Sequence, residues 1–173
     1  VDGILVRSAS RITEEVIEAA PKLKAVGRAG IGVDNIDLQA ASRHGVLVMN
    51  TPLANATTTA ELAVAHMMSL ARHLPQADAS MKAGRWDKSS LVGHEITGKT
   101  LVIVGLGKIG RIAAERGLGL KMNVIAYDPF LTGESPVPGV RLVELDEALE
   151  LADYLSIHVP KSPETLGLID AAA

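Results

Sequence analysis

Leu101-Val102-Ile103-Val104-Gly105-Leu106-Gly107-Lys108-Ile109-Gly110 is the stretch on which the fold turns. Four apolar, mostly branched residues read as a buried strand. They run into three glycines in the pattern G-x-G-x-x-G, and a helical pattern follows over Lys108–Leu118. A lone G-x-G-x-x-G is weak evidence, but between a strand and a helix it has a mechanism. Gly105 permits the tight turn. Gly107 removes a side chain, so that a pyrophosphate can approach the backbone. Gly110 lets the helix pack closely on the strand. The phosphates would then meet unpaired N–H groups at the positive end of the helix dipole.

Downstream, Asn123–Tyr127 reads as a strand, Leu145–Leu151 as a helix and Tyr154–Val159 as a strand, completing βαβαβ. Asp128 closes the Asn123–Tyr127 strand, where an acid can accept hydrogen bonds from a ribose diol. It would repel a 2′-phosphate, so the sequence favours NAD over NADP. The competing reading is a tight turn whose acid caps a loop before Pro129. Lys108 reads as a solvated residue near the pyrophosphate. His158-Val159-Pro160 ends the next strand, and strand carboxyl ends line the ligand crevice in doubly wound sheets. For His158 itself a structural role outweighs a catalytic one.

Towards the N-terminus, Gly3–Val6, Lys24–Gly27 and Val46–Met49 read as strands, with helices at Thr13–Ala20 and Asp37–His44. Thr13 and Asp37 are candidate caps, and Glu14 and Glu15 suit a helix start. Apolar strands separated by helices predict a parallel sheet covered on both faces. Asn50-Thr51-Pro52 breaks the pattern. A long helix over Thr59–His73 follows, with Thr58 and Glu61 at capping-box spacing. Its apolar residues run nearly all round, so it needs cover on more than one side, from the monomer or from a second subunit. Pro75–Gly98 predicts a helix and an extended arm carrying Trp86. The division between units is placed near Pro52–Asn55, giving a first unit of residues 1–53 and a second of 54–173. The fold expected is therefore α/β. It has a Rossmann-like doubly wound parallel sheet, preceded by part of a smaller flavodoxin-like α/β substrate domain.

Composition narrows the function. Of 173 residues, 47% are hydrophobic and 21% charged, as in a folded domain rather than a disordered one. The net charge is −3 and there is no basic block, so nucleic acid is not an expected partner. Four aromatic residues offer no base-stacking surface. No cysteine is present, which removes thiolate and Cys–zinc chemistry, and no metal site is expected. No apolar run is long enough to span a membrane, and the first residues lack the basic region of a signal peptide. Val1-Asp2-Gly3 and Ile169-Asp170-Ala171 read as the inside of a strand entry and the start of a helix, as in a piece of a longer chain.

Four passages together resemble the D-isomer-specific 2-hydroxyacid dehydrogenases. They are Val26–Asp37, Met49–Pro52 running through to Ala60-Glu61, the glycine motif with Asp128-Pro129, and Ala152–Pro160 followed by Thr165 and Leu168. Tyr154 is bulkier than the residue usual in that pattern, which predicts local repacking. The resemblance implies an NAD-dependent, cytoplasmic oxidoreductase. It matches Lys108 and Ile109 to backbone contacts with the pyrophosphate and Asp128 to the ribose ligand. It matches Val159 and Pro160 to the segment beside the adenosine half, and Ile31 to the nicotinamide end.

Val6-Arg7-Ser8-Ala9 and Gly27-Arg28-Ala29-Gly30 lean towards the branch of the family acting on 3-phosphoglycerate, at the entry to serine synthesis. There Arg7 and Arg28 would lie near the anionic groups of a small substrate. An Arg fork suits carboxylate and phosphate. The backbone of Ala29, Gly30, Ile31 and Gly32 could turn N–H groups towards a carboxylate. The resemblance also places the catalytic Arg, Glu and His beyond residue 173. No catalytic residue is assigned among the 173, and the chain alone is expected to bind cofactor and turn over little or nothing. A homodimer is expected through the 59–73 helix and the arm near Trp86. The rival readings are a glyoxylate or hydroxypyruvate reductase and a non-enzymatic, NAD-sensing corepressor-like protein.

Overall fold

The computed structural model describes residues Val1–Ala171. The chain packs as two compact units. One comprises Val1–Thr57 with Pro160–Leu166, and the other Thr58–Val159 with the residues from Gly167 onward.

In the first unit, β1 (Gly3–Val6), β2 (Ala25–Arg28) and β3 (Leu47–Asn50) form a parallel sheet in the order β1-β2-β3. Helices α1 (Glu14–Glu18) and α2 (Leu38–Arg43) connect them. The side chains of Val6 and Val26 meet Ile17 of α1 and Ala40 and Ala41 of α2 in one buried cluster. Asp37 starts α2 by accepting the Ala40 N–H at 2.8 Å. The three strands carry Arg28 and Asn50 into register at their carboxyl ends, with Arg7 one residue beyond β1.

In the second unit, β4 (Thr100–Val104), β5 (Asn123–Tyr127), β6 (Arg141–Leu142) and β7 (Tyr154–Ile157) form a parallel sheet in the order β6-β5-β4-β7. The order reverses at β4, so the crevice outside Val104 and Ile157 is the switch point where doubly wound sheets bind ligands. Leu101 and Ile103 face a cluster that includes Ala113 and Ala114 of α5 (Lys108–Gly119) and Met67 of α3 (Ala56–Ala71). Val102 and Val104 face the other way, against Ala148 of α6 (Leu145–Leu151). Continuous apolar character in β4 therefore means burial on both faces. Gly117 lets α5 lie close, because a Cβ there would come within 2.6 Å of Leu101 Cδ2.

Several expectations need correction. The first sheet is covered on one face only among the described residues: Leu5 on the other face is 90% exposed, and Leu47 and Met49 are exposed beside it. Thr13 occupies the cap position of α1, but its hydroxyl makes no capping bond. Thr58 and Glu61 form no capping box, since α3 already begins at Ala56 and Thr58 lies within its first turn. The helix ends at Ala71, whose C=O accepts the His94 N–H at 2.8 Å. His73 then takes a left-handed conformation (φ 52°) before α4 (Leu74–Lys82), so the two helices are separate. Strand β6 has no counterpart in the sequence reading, because two residues carry no periodicity. Ile169–Ala171 are not helical, and Ala172 and Ala173 lie outside the described residues. No helix among those residues is long and apolar enough to cross a membrane.

Candidate functional site

The carboxyl end of β4 enters the glycine turn with Gly105 at φ 92°, a conformation open to glycine and costly for a side chain. A Cβ there would also come within 2.9 Å of Val159 Cγ1 and 3.0 Å of the His158 carbonyl carbon. A Cβ on Gly110 would collide with the Gly105 carbonyl oxygen and sit 3.1 Å from Ile103 Cγ2. These two glycines are therefore needed for packing. Gly107 differs: nothing lies within 4 Å of its missing Cβ. Space of that kind, at the start of the 12-residue α5, is what an approaching pyrophosphate requires. Lys108 is exposed beside it and Ile109 half-buried.

Asp128 sits at the end of β5 as expected, and its carboxylate is already engaged. One oxygen accepts the Leu106 N–H at 2.8 Å and the other the Phe130 N–H at 3.0 Å. The acid thereby holds the second residue of the glycine turn while facing outward. Tyr127, Asp128, Pro129, Leu142, Glu144 and Glu147 line a cavity of about 600 Å³ beside it. Glu147 is paired with Arg141 at 2.6 Å, which leaves the Asp128 and Glu144 carboxylates to oppose a 2′-phosphate and tolerate a ribose diol. The residues therefore fit a non-phosphorylated dinucleotide: open backbone at Gly107, a helix start, and acceptors where the adenosine ribose belongs. Arg111, unremarked in the sequence reading, donates from Nε to the Leu106 C=O at 3.0 Å.

At the end of β7, the His158 N–H donates to the Val104 C=O at 2.8 Å, which fastens this segment to β4. Its imidazole Nε2 lies 2.9 Å from Ser156 Oγ, and burial lowers its pKa from the ordinary 6.5. Val159 reaches the glycine turn, as its approach to Gly105 shows. Pro160 belongs to the segment that packs with the first unit, and its C=O accepts from Thr165 Oγ1 at 2.6 Å. Tyr154 packs half-buried against the α3–α5 cluster.

In the first unit, the Arg28 side chain is only 10% exposed. It folds over its own loop, donating from Nη1 to the Gly32 C=O and lying 3.8 Å from Asp34. Its Nε is buried and finds no acceptor among the described residues. A buried donor without a partner is unusual and asks for a ligand or water. The loop amides are not equivalent. Ala29 N–H is spent on the Val6 C=O at 2.9 Å, and Gly30 N–H turns to the Arg28 C=O at 3.0 Å. That leaves the amides around Ile31 and Gly32 as the ones to offer a carboxylate, narrower than the Ala29–Gly32 expectation. Asn50 holds this loop through the Ile31 C=O at 2.7 Å. Asn35, 8% exposed, donates to the Arg7 C=O at 3.0 Å and the Ser10 C=O at 2.6 Å. It thus ties the segment carrying Arg7 to the loop carrying Arg28. Arg7 is exposed and in no ion pair among the described residues. Neither Asn35 nor Asn50 was assigned a role from sequence; Asn35 is buried and Asn50 exposed, and no local pattern marks either bond.

Glu14, Glu18 and His44 have ligating atoms within 4.8 Å of one another. Glu14 already pairs with Arg43 there, and no metal role is assigned. His44, His66 and His94 are exposed and His73 half-buried at its helix junction.

Residues 64–173 match the sequence profile of the "D-isomer specific 2-hydroxyacid dehydrogenase, NAD binding domain". Over 170 residues the chain is 49% identical to D-3-phosphoglycerate dehydrogenase of Rattus norvegicus, a match covering 98% of this chain and 32% of the rat protein. It is 47% identical over 169 residues to D-3-phosphoglycerate dehydrogenase of Archaeoglobus fulgidus, covering 97% of this chain and again 32% of the relative. The chain therefore spans about a third of the length of these relatives. Among solved structures it is similar to an NAD-dependent formate dehydrogenase from Staphylococcus aureus in complex with NAD. The TM-score is 0.88 at 33% identity, covering 98% of this chain and 52% of that one.

Proposed function

The chain belongs to the D-isomer-specific 2-hydroxyacid dehydrogenases and carries their NAD-binding domain, and from that premise we propose that its parent enzyme oxidises 3-phosphoglycerate, the first committed step towards serine. Bound NAD would supply the hydride acceptor for C2 of the hydroxy acid. This chain's residues bind and orient: the Gly107 end of α5 takes the pyrophosphate, and Asp128 the adenosine ribose. The loop of Arg28, Ile31 and Gly32, with Arg7 beside it, takes the acid's anionic groups. Holding donor and acceptor in place is the larger part of such catalysis. On the family resemblance, the proton-transferring His, its acidic partner and the Arg that grips the carboxylate would come from outside these residues. Alone, then, the chain would bind cofactor and turn over little or nothing.

The observation that carries the substrate reading is the geometry of the first sheet. Arg7, Arg28 and Asn50 stand at the carboxyl ends of three adjacent parallel strands, where α/β sheets bind ligands. Asn35 holds the backbone of the Arg7 segment, and two arginines at adjacent strand ends suit a substrate with two anionic ends. The names of the rat and archaeal relatives agree.

A turnover assay on the full-length protein tests this, offering NAD with 3-phosphoglycerate, glycerate or lactate and following NADH absorbance. The expected outcome is a clear preference for 3-phosphoglycerate. Activity confined to an unphosphorylated acid would discard the substrate and keep the family, as for a glyoxylate or hydroxypyruvate reductase. NADH binding without turnover on any acid would favour the sensor reading.

A further inference from the structure

We propose that Arg111 is a positioning residue for the cofactor, aiming the Gly107 amide by holding the carbonyl of the peptide before it. The bond from Arg111 Nε to the Leu106 C=O is 3.0 Å long. The Leu106–Gly107 peptide is trans and planar, so its N–H points opposite to its C=O. With the Leu106 C=O turned to Arg111, the Gly107 N–H points away from that side chain. On its side-chain side Gly107 is open, with nothing beyond its chain neighbours within 4 Å of the Cβ it lacks. The preceding peptide is held as well: the Leu106 N–H goes to Asp128, while the Gly105 C=O lies against Gly110. Leu106 is fully buried, so its side chain anchors the pair of peptides from below. Two consecutive peptide planes of the turn are thus set by two side chains from different elements, Asp128 after β5 and Arg111 in α5.

The position of Arg111 supports the same reading. It is the fourth residue of α5, and its own N–H makes an early helical bond, to the Gly107 C=O at 3.0 Å. A cation in the first turn opposes the helix dipole. The bond to the Leu106 C=O gives that placement a reason that solvation alone does not. A directed donor and a diffuse positive charge near the pyrophosphate predict different variant behaviour. In glutamine, Nε2 stands the same number of bonds from Cα as Nε does in arginine, and it donates without charge. Lysine keeps the charge and puts a methylene where the donor should be.

The test is NADH affinity, read by fluorescence titration on the full-length protein carrying Arg111→Met, Arg111→Gln or Arg111→Lys, with a thermal melt of each. Arg111→Met is expected to bind NADH about 10-fold more weakly, the scale of one well-placed hydrogen bond. Arg111→Gln is expected to restore affinity to near that of the unchanged protein, and Arg111→Lys to track the methionine variant. The reverse order, with Lys restoring and Gln failing, would show that the charge acts directly and overturn the proposal. Unchanged affinity in Arg111→Met, or equal weakening in all three, would overturn it too. Should the methionine variant not fold, Gln against Lys still decides.

Discussion

Asp128 holds the Leu106 and Phe130 amides with one carboxylate, and the proposed function gives it a second job, offering acceptors to a ribose. Asp128→Ala is therefore expected to weaken NADH binding by about 10-fold or more, since charge-assisted bonds exceed neutral ones. Loss of the negative charge should also narrow the gap between NADH and NADPH. Parallel titrations with the two cofactors check both, and an unchanged ratio would mean that Glu144 sets the preference instead. His158 gives a pH dependence. Burial holds its pKa below 6.5, so as pH falls under that value the unfolded chain takes up the proton first. Its contribution to stability is whole above about pH 6.5 and is lost as pH falls through the folded-state value. Thermal melts between about pH 7.5 and about pH 5 should show a shallower decline for His158→Gln than for the unchanged protein.

At the level of elements, the turn between β4 and α5 separates glycines that sequence alone treats alike. Gly110→Ala pushes a methyl into the Gly105 carbonyl, backbone that has no room to move. It should cost about 1–3 kcal/mol or more of stability, measured by urea denaturation. Gly107→Ala meets nothing within 4 Å, and the residue's φ of −73° suits an L-amino acid. Its stability should stay within about 0.5 kcal/mol while NADH affinity drops, because the methyl occupies the approach path. Equal losses of stability in the two variants would contradict this division. In α3 the buried stripe of Ala60, Met67 and Ala71 faces the sheet, while Leu62 and Leu70 are exposed. The all-round apolar pattern thus splits into a satisfied face and an open one.

On the scale of the whole molecule, that open face and the arm bearing Trp86, 77% exposed, and Val92 leave large apolar groups in water. Such surface usually marks an interface. The proposed partner is a second copy of the chain. Light scattering of the full-length protein at micromolar concentration should give a dimer mass or higher. Leu70→Glu should shift it towards monomer without changing NADH affinity, since Leu70 is remote in sequence and role from the glycine turn. A monomer from the outset would remove the proposal.

By itself the sequence determined β4, β5 and β7 of the second sheet, the glycine turn and the acid that follows β5, because strand runs, helical periods and G-x-G-x-x-G are local and each constrains a few consecutive residues. Boundaries of β1, β5 and α6 were legible to the residue for the same reason. The caps at Thr13 and Thr58 failed because a capping bond depends on a hydroxyl rotamer and on where the helix actually starts. Only tertiary structure decided that Leu106 N–H finds an oxygen 22 residues away, or that Asn35 reaches back 28 and 25 residues to the Arg7 and Ser10 carbonyls. It also decided that Arg28 folds over its own loop and that, among the described residues, one face of the first sheet is left uncovered. The reason is physical. Periodicity sets which face of an element is apolar, but which donor meets which acceptor is settled only when segments distant in sequence are brought together by burial.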